Sequence, residues 1–164
     1  MKVALLMGSD SDFPRLEACV QTLRDLEVEI EARVLSAHRT PDEVVDYVRA
    51  APARGIGVFL CAAGGAAHLA GVVAAHTDLP VLGIPMDNPP LGGLDALLAT
   101  VQMPGGVPVA SLAVGGGGPM NAALFAARIL ALSDADLARR LTAFRTGQAE
   151  KVRKKDAALQ ARLG

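Results

Sequence analysis

"KVALLMG", residues 2–8, is a run of apolar side chains without polar alternation, closed by a glycine. A strand with one wet face alternates, whereas an unbroken apolar run belongs to a strand covered on both faces, as in a parallel sheet lying between helices. The next stretch, "SDSDFPRLEACVQTLRDL" (9–26), changes period. Leu16, Val20, Leu23 and Leu26 fall at helical spacing, Asp12 is expected as the N-cap, and Pro14 falls in the first turn. Strand followed by helix is the opening unit of an α/β fold.

The unit repeats outward from there. "VEIEARVLS" (28–36) alternates as a second strand, and Thr40-Pro41-Asp42-Glu43 has the spacing of a capping box opening a helix with Val44, Val45 and Val48. "GVFLCAA" (57–63) is a third buried strand, broken by Gly64-Gly65 ahead of a helix within "AAHLAGVVAAHT" (66–77). "PVLGIPM" (80–86) is a fourth strand, followed by a Pro/Gly-rich loop and the helical "LDALLATVQM" (94–103). "VPVASLAVG" (107–115) is a fifth strand, leading through four glycines into "PMNAALFAARILAL" (119–132). A charged helix is then expected from about Asp134 to Leu163, with Ser133 or Asp134 as its cap.

Such alternation predicts an α/β protein with a parallel sheet and helices on both faces. Right-handed crossovers then bring every strand-to-helix loop to one rim, where ligands bind in such sheets. The chemistry-bearing residues gather there: "GSDSD" after the first strand, "SAHRT" after the second, "AAGGAAH" after the third, "PMDNPPLGG" after the fourth and "GGGGPMN" after the fifth. Residues 1–164 form one domain, with 133–164 as a C-terminal helical extension. The segment "FRTGQAEKVRKKDAALQARLG" is too polar for a full core partner, so it either packs on another subunit or lies in solvent.

Composition narrows the function classes. At 51% hydrophobic and 20% charged, the chain is globular and not disordered. A net charge of −1 argues against nucleic-acid binding, and with no Trp and one Tyr there is no base-stacking platform. Cys19 and Cys61 stand in apolar contexts with no C-x-x-C, as buried thiols in a reducing compartment do. "MKVALLMGSD" lacks a cleavage site and reads as a strand, and the apolar runs are broken by Gly and Pro. No membrane span and a cytoplasmic location are therefore expected. No P-loop, dinucleotide fingerprint, nucleophile elbow or metal-spaced histidine motif occurs, and no metal or cofactor is expected.

The rim residues suit a phosphorylated small molecule. Ser9, Ser11, Asp10 and Asp12 mark a helix start, where free N–H groups favour an anion; alternatively they only cap the helix. A carboxylate such as Asp12 suits paired ribose hydroxyls. Arg39 supplies a planar fork for phosphate oxygens. His38, beside it, can give and take a proton near neutral pH. His68 either lines the same pocket or caps its helix, and His76 is read as structural or exposed.

Taken together, "MGSDSD", "SAHRTPD", "AGGAAHL", "VQMPGGVPVA" and "NAALFAARIL" resemble the bacterial N5-carboxyaminoimidazole ribonucleotide mutases of purine biosynthesis, the class I PurE family, from about Val3 to Leu132. The resemblance implies a three-layer flavodoxin-like domain. It also implies a homo-octamer in which the C-terminal helix packs on a neighbouring subunit. It implies a carboxylate shift from N5 to C4 of an imidazole ribonucleotide without metal, cofactor or ATP, with His38 as the acid/base. By the same match Ser9 and Arg39 bind the 5′-phosphate and Asp12 the ribose. Ser36, Ala37, Gly64, Gly65, Ala66 and His68 wall a dry pocket around base and CO2. It leaves open whether the ATP-dependent synthetase that makes the labile substrate is a second partner.

Two alternatives stay in view. Direct carboxylases, which take free CO2 and aminoimidazole ribonucleotide, resemble this family but usually carry "SAHKT" and lack the histidine at the position of His68. A non-catalytic nucleotide sensor would bind without turnover. The chain also departs from the family pattern: Ala70 stands where Pro is usual, Phe13 where Trp is common, and the Gly115–Gly118 run replaces a "GKAGAAN"-type loop.

Overall fold

A computed structural model describes residues 1–164. The first apolar run forms β1 (Lys2–Met7), and α1 (Phe13–Asp25) follows. Next come β2 (Ile30–Val34), α2 (Pro41–Ala50), β3 (Ile56–Ala63), α3 (Leu69–Ala74), β4 (Val81–Pro85) and α4 (Leu94–Val101). The chain closes with β5 (Ala110–Ser111), α5 (Gly118–Leu130) and α6 (Ala135–Leu163). The strands form one sheet in the order β2-β1-β3-β4-β5, every pairing parallel. This is the flavodoxin-like order, whose direction of progression switches between β1 and β3.

Strand geometry explains the continuous apolar runs. Successive side chains point to opposite faces, so Val3, Leu5 and Met7 enter one core with Val58, Leu60 and Ala62, beneath α1, α5 and the start of α6. Ala4 and Leu6 enter the other, with Phe59 and Cys61, beneath α2 and α3. The three layers expected from the sequence are present. Burial pushes the Cys19 thiol up to about 12 and raises that of Cys61 as well, so both are inert packing groups.

Several local expectations are corrected. The second strand is expected over 28–36 but is regular only over Ile30–Val34: Glu27 adopts φ 55° and the Val28 N–H turns back to the Leu23 carbonyl. Bonds from Val3 N to Glu29 O and from Leu35 N to Met7 O still continue the pairing at each end. The fifth strand shrinks from 107–115 to two residues, paired at Leu82–Ala110 and Gly83–Ser111. It lies at the sheet edge just after Pro108, which has no N–H to donate. The helix within 66–77 is confined to Leu69–Ala74, because residues 64–68 form an irregular loop at the rim. His76 donates to the Val72 carbonyl at 2.8 Å, a structural role. Ala70 is buried within α3.

Neither of the first two expected caps forms as expected. The Thr40 side chain makes no capping bond to α2, although its backbone carbonyl accepts from Val44 N. Its Oγ1 instead accepts from Ser36 N at 3.0 Å and lies 3.2 Å from Ser36 O, closing the 36–40 turn. Asp12 also caps nothing. A short 3-10 turn over Asp10–Asp12 precedes α1, and Ser9 caps that turn by accepting from Ser11 N at 3.3 Å. The α6 cap does form, from Leu137 N to the Asp134 carboxylate at 2.9 Å.

The long last helix divides into two parts. Leu137, Leu141 and Phe144 pack on the chain's own core, and Arg140 donates from Nε to the Leu26 carbonyl at 2.7 Å. From Lys151 onward every residue is exposed. No helix is long and apolar enough to cross a membrane.

Candidate active site

Beyond the carboxyl ends of β1 to β4 the loops enclose a cavity of about 320 Å³. The loop after β1 supplies Gly8, Ser9, Ser11 and Asp12, and the turn after β2 supplies Ser36, Ala37, His38 and Arg39. β3 ends on Ala63 in the lining, the loop after it supplies Gly64, Ala66 and His68, α3 begins with Leu69, and the loop after β4 supplies Asn88. Residues far apart in sequence meet here because parallel strands deliver every such loop to the same edge. A larger recess of about 650 Å³, lined by Met1, Glu27, Asp134 and Arg140 among others, opens at the amino ends of the strands. It contains no histidine and no glycine loop.

Arg39 joins two of these loops. Its Nη2 donates to the Gly8 carbonyl at 2.6 Å, while its backbone N–H and Nε reach Ser36 Oγ at 3.2 and 3.4 Å. The rest of the exposed guanidinium is left for an anion. Ser9 Oγ lies 2.8 Å from Ser11 Oγ, so a hydroxyl pair stands near that positive charge. Asp12 is nearly buried, with only 5% of its surface exposed, and accepts from Arg15 Nη2 at 3.1 Å. Burial holds its carboxyl above the ordinary value, and Arg15 pulls it partly back.

The two histidines meet across the cavity. His38 Nε2 lies 2.8 Å from His68 Nδ1, the rings edge to face at a centroid separation of 4.9 Å. Such a contact needs one donor and one acceptor, so a single proton lies between the facing nitrogens and can reside on either ring. His68 sits at the N-cap position of α3 but makes no capping bond, so of its two expected roles it takes the pocket role. Both rings are exposed in the single chain.

Gly64 admits the next loop. A Cβ there would run into the Asn88 side-chain amide, so absence of a side chain is what lets Asn88 close over the wall. Of the expected wall residues, Ser36, Ala37, Gly64, Ala66 and His68 line the cavity, whereas Gly65, in a left-handed turn at φ 61°, does not. Asn88 was not among the expected residues. It lies in "MDNPPLGG", which signals a loop but gives no spacing that singles out one side chain. The glycines 115 and 116 line an adjoining cavity of about 260 Å³ with Arg15 and Asp87, so the fifth loop reaches the rim without entering the histidine pocket. No group of three or more His, Cys, Asp or Glu side chains converges anywhere in the structure.

The arrangement offers an anion site at Ser9 and Arg39, a buried carboxylate at Asp12, and a titratable histidine pair about a small cavity. The family model for AIR carboxylase matches residues 2–151. An N5-carboxyaminoimidazole ribonucleotide mutase of Mycobacterium leprae is 50% identical over 159 residues, covering 97% of this chain and 92% of the relative. The mutase of Bacillus subtilis is 50% identical over 139 residues, covering 85% and 86%. A crystal structure of Treponema denticola PurE superposes with a TM-score of 0.81 at 28% identity, covering 96% of this chain and 97% of that one. One of Treponema denticola PurE2 gives 0.85 at 27% identity, covering 97% and 99%.

Proposed function

The chain belongs to the AIR carboxylase family, and we propose from that premise that it is an N5-carboxyaminoimidazole ribonucleotide mutase, an isomerase of purine biosynthesis. The observation that carries the reading is the His38–His68 pair beside Arg39 at the strand-end cavity, in a chain half identical to mutases over nearly its whole length.

The chemistry follows from the site. Ser9 and Arg39 take the 5′-phosphate and Asp12 takes the ribose hydroxyls, which points the imidazole at His38. The N5–carboxylate bond breaks with its electron pair going to nitrogen; His38 protonates that nitrogen, and CO2 is held beside the ring. C4 then attacks CO2, and the proton lost from C4 returns to His38. One group therefore serves both halves, and no proton is gained or lost overall. Ser36, Ala37, Gly64, Ala66 and His68 form the wall, with Gly65 making the left-handed turn between Gly64 and Ala66. The unpaired buried thiols fit the expected reducing, cytoplasmic setting.

Retaining CO2 requires a dry pocket, and the exposed histidines of the single chain mean that something must cover them. We assign the cover to neighbouring subunits of a homo-oligomer, the octamer that the family resemblance implies. Leu91, Leu94, Leu98 and Val101 form an exposed apolar stripe along α4 and the loop before it, of the kind that subunit contacts bury. The polar end of α6 is the segment expected to cross between subunits. Truncation after Thr146 spares Leu137, Leu141 and Phe144, which the chain's own core needs. The shortened protein is expected to fold but to sediment as a smaller assembly. An unchanged number of subunits per assembly would remove the polar end of α6 from the interface.

The function is tested by offering two substrates in parallel with labelled CO2 present. One is N5-carboxyaminoimidazole ribonucleotide; the other is aminoimidazole ribonucleotide with concentrated bicarbonate. Rapid conversion of the first with little label in the 4-carboxy product is expected. Efficient conversion of the second with label incorporated would make the protein a direct carboxylase. Saturable binding without product from either would make it a sensor.

A further inference from the structure

Arg15, in the first turn of α1, reaches carboxylates on two different loops. Its Nη2 lies 3.1 Å from Asp12 and its Nη1 2.9 Å from Asp87. The second carboxylate is held from behind as well. Gly115 lies against it at φ 57°, and a Cβ there would stand 2.6 Å from Asp87 Oδ2, so the position needs glycine on both counts. The residue after Asp87 is Asn88, whose amide covers Gly64 in the wall of the histidine cavity. A continuous set of contacts thus runs from Asp12 at the sugar end to Gly64 at the base end, and Arg15 is its only cation.

The electrostatics give this chain a direction. A carboxylate as buried as Asp12 is costly to keep ionised without a paired cation. Asp87 is more exposed and depends less on its partner. A guanidinium serves both through two different nitrogens of one planar fork, whereas an ammonium must make all its bonds from a single nitrogen on a flexible stem and cannot hold the two carboxylates in that fixed geometry.

We propose that Arg15 is a positioning residue for the substrate: it holds Asp12 for the ribose hydroxyls and, through Asp87, holds Asn88 over the Gly64 wall, so that one guanidinium sets both ends of the pocket. The proposal rests on the reading of Asp12 as the ribose-binding carboxylate.

Steady-state turnover of N5-carboxyaminoimidazole ribonucleotide and calorimetric binding of ribose 5-phosphate, which needs no turnover, are measured on the wild type, Arg15→Met, Asp87→Asn, the double variant and Arg15→Lys. Arg15→Met is expected to raise KM about tenfold while kcat stays within about threefold, the pattern of lost substrate binding. It should weaken ribose 5-phosphate by a similar factor. Asp87→Asn should raise KM less and leave ribose 5-phosphate affinity unchanged, because the Asp12–Arg15 pair survives. The double variant should match Arg15→Met, since both changes open the same clamp. Arg15→Lys should recover ribose 5-phosphate affinity but not the full KM.

Unchanged KM and sugar affinity in Arg15→Met, a loss confined to kcat, or single effects that multiply in the double variant would each overturn the clamp. A wild type that binds ribose 5-phosphate without turning over the ribonucleotide would defeat the mutase reading alone, and the clamp would then stand or fall on the sugar affinities. A wild type that does not bind ribose 5-phosphate would remove Asp12's role and this proposal with it.

Discussion

His38→Asn is expected to abolish turnover while leaving the fold and substrate binding in place. The ring makes one side-chain hydrogen bond, to His68, and is exposed, so its replacement opens no cavity and orphans no buried group. Substitutions of that kind shift stability by no more than about 0.5 kcal/mol. Arg39, Ser9 and Asp12, the proposed phosphate and ribose ligands, are anchored by contacts that do not involve His38. What disappears is the proton carrier that the proposed mechanism assigns to both the departing nitrogen and C4. Asparagine can donate a hydrogen bond but cannot exchange a proton near neutral pH. Loss of a general acid/base costs roughly 10²–10⁴ in rate, and here one loss strikes both half-reactions, so kcat should fall toward the upper end of that range. Single-turnover kinetics with calorimetric binding on the same preparation decide the matter. Near-normal turnover would transfer the proton to His68 or to water; lost binding would make His38 a substrate ligand.

The largest stability effect is expected at Phe59. It is fully buried at the centre of β3, the middle strand of the sheet, and packs into the layer beneath α2 and α3. Phe59→Ala removes a ring from a site flanked on both sides by paired strands, where the backbone has little freedom to collapse. Such truncations cost about 3–5 kcal/mol, a large share of the roughly 5–15 kcal/mol that holds a domain together. Urea unfolding at fixed protein concentration, which keeps any assembly contribution constant, should show the midpoint fall by roughly 1–3 M with little change in slope. A loss below about 1 kcal/mol would mean that the neighbouring helices close the cavity, so that the core beneath α2 and α3 yields instead of keeping its shape.

Much of this protein could be read from its sequence, for a definite reason. The apolar runs at 2–8, 57–63 and 80–86 alternate with helical spacing, and a chain with that pattern can bury both faces only between two helical layers. The right-handed crossover then fixes which ends of the strands share a rim. That brought Ser9, Asp12, Ser36, His38, Arg39, Gly64 and His68 together before any distance was known. The errors were local. Thr40 and Asp12 have the residue types of helix caps, yet Thr40 closes the turn that carries His38, and Asp12 is engaged by Arg15. A cap rule sees the side chain and its neighbours along the chain. It does not see competing partners brought by the rest of the fold.

The layer order, the rim and the chemical types that face it are already set along the chain, because they depend on hydrophobic period and on the handedness of L-residues. Which rim residues touch is set by the folded packing alone. The 30-residue separation of His38 and His68, and the 72-residue separation of Arg15 and Asp87, leave no trace in local pattern. Asn88 on the wall, Gly65 outside the cavity and Gly115 placed against Asp87 belong to the same class. These are contacts between loops, and a loop's course is set by whatever it packs on, not by the periodicity of its own residues.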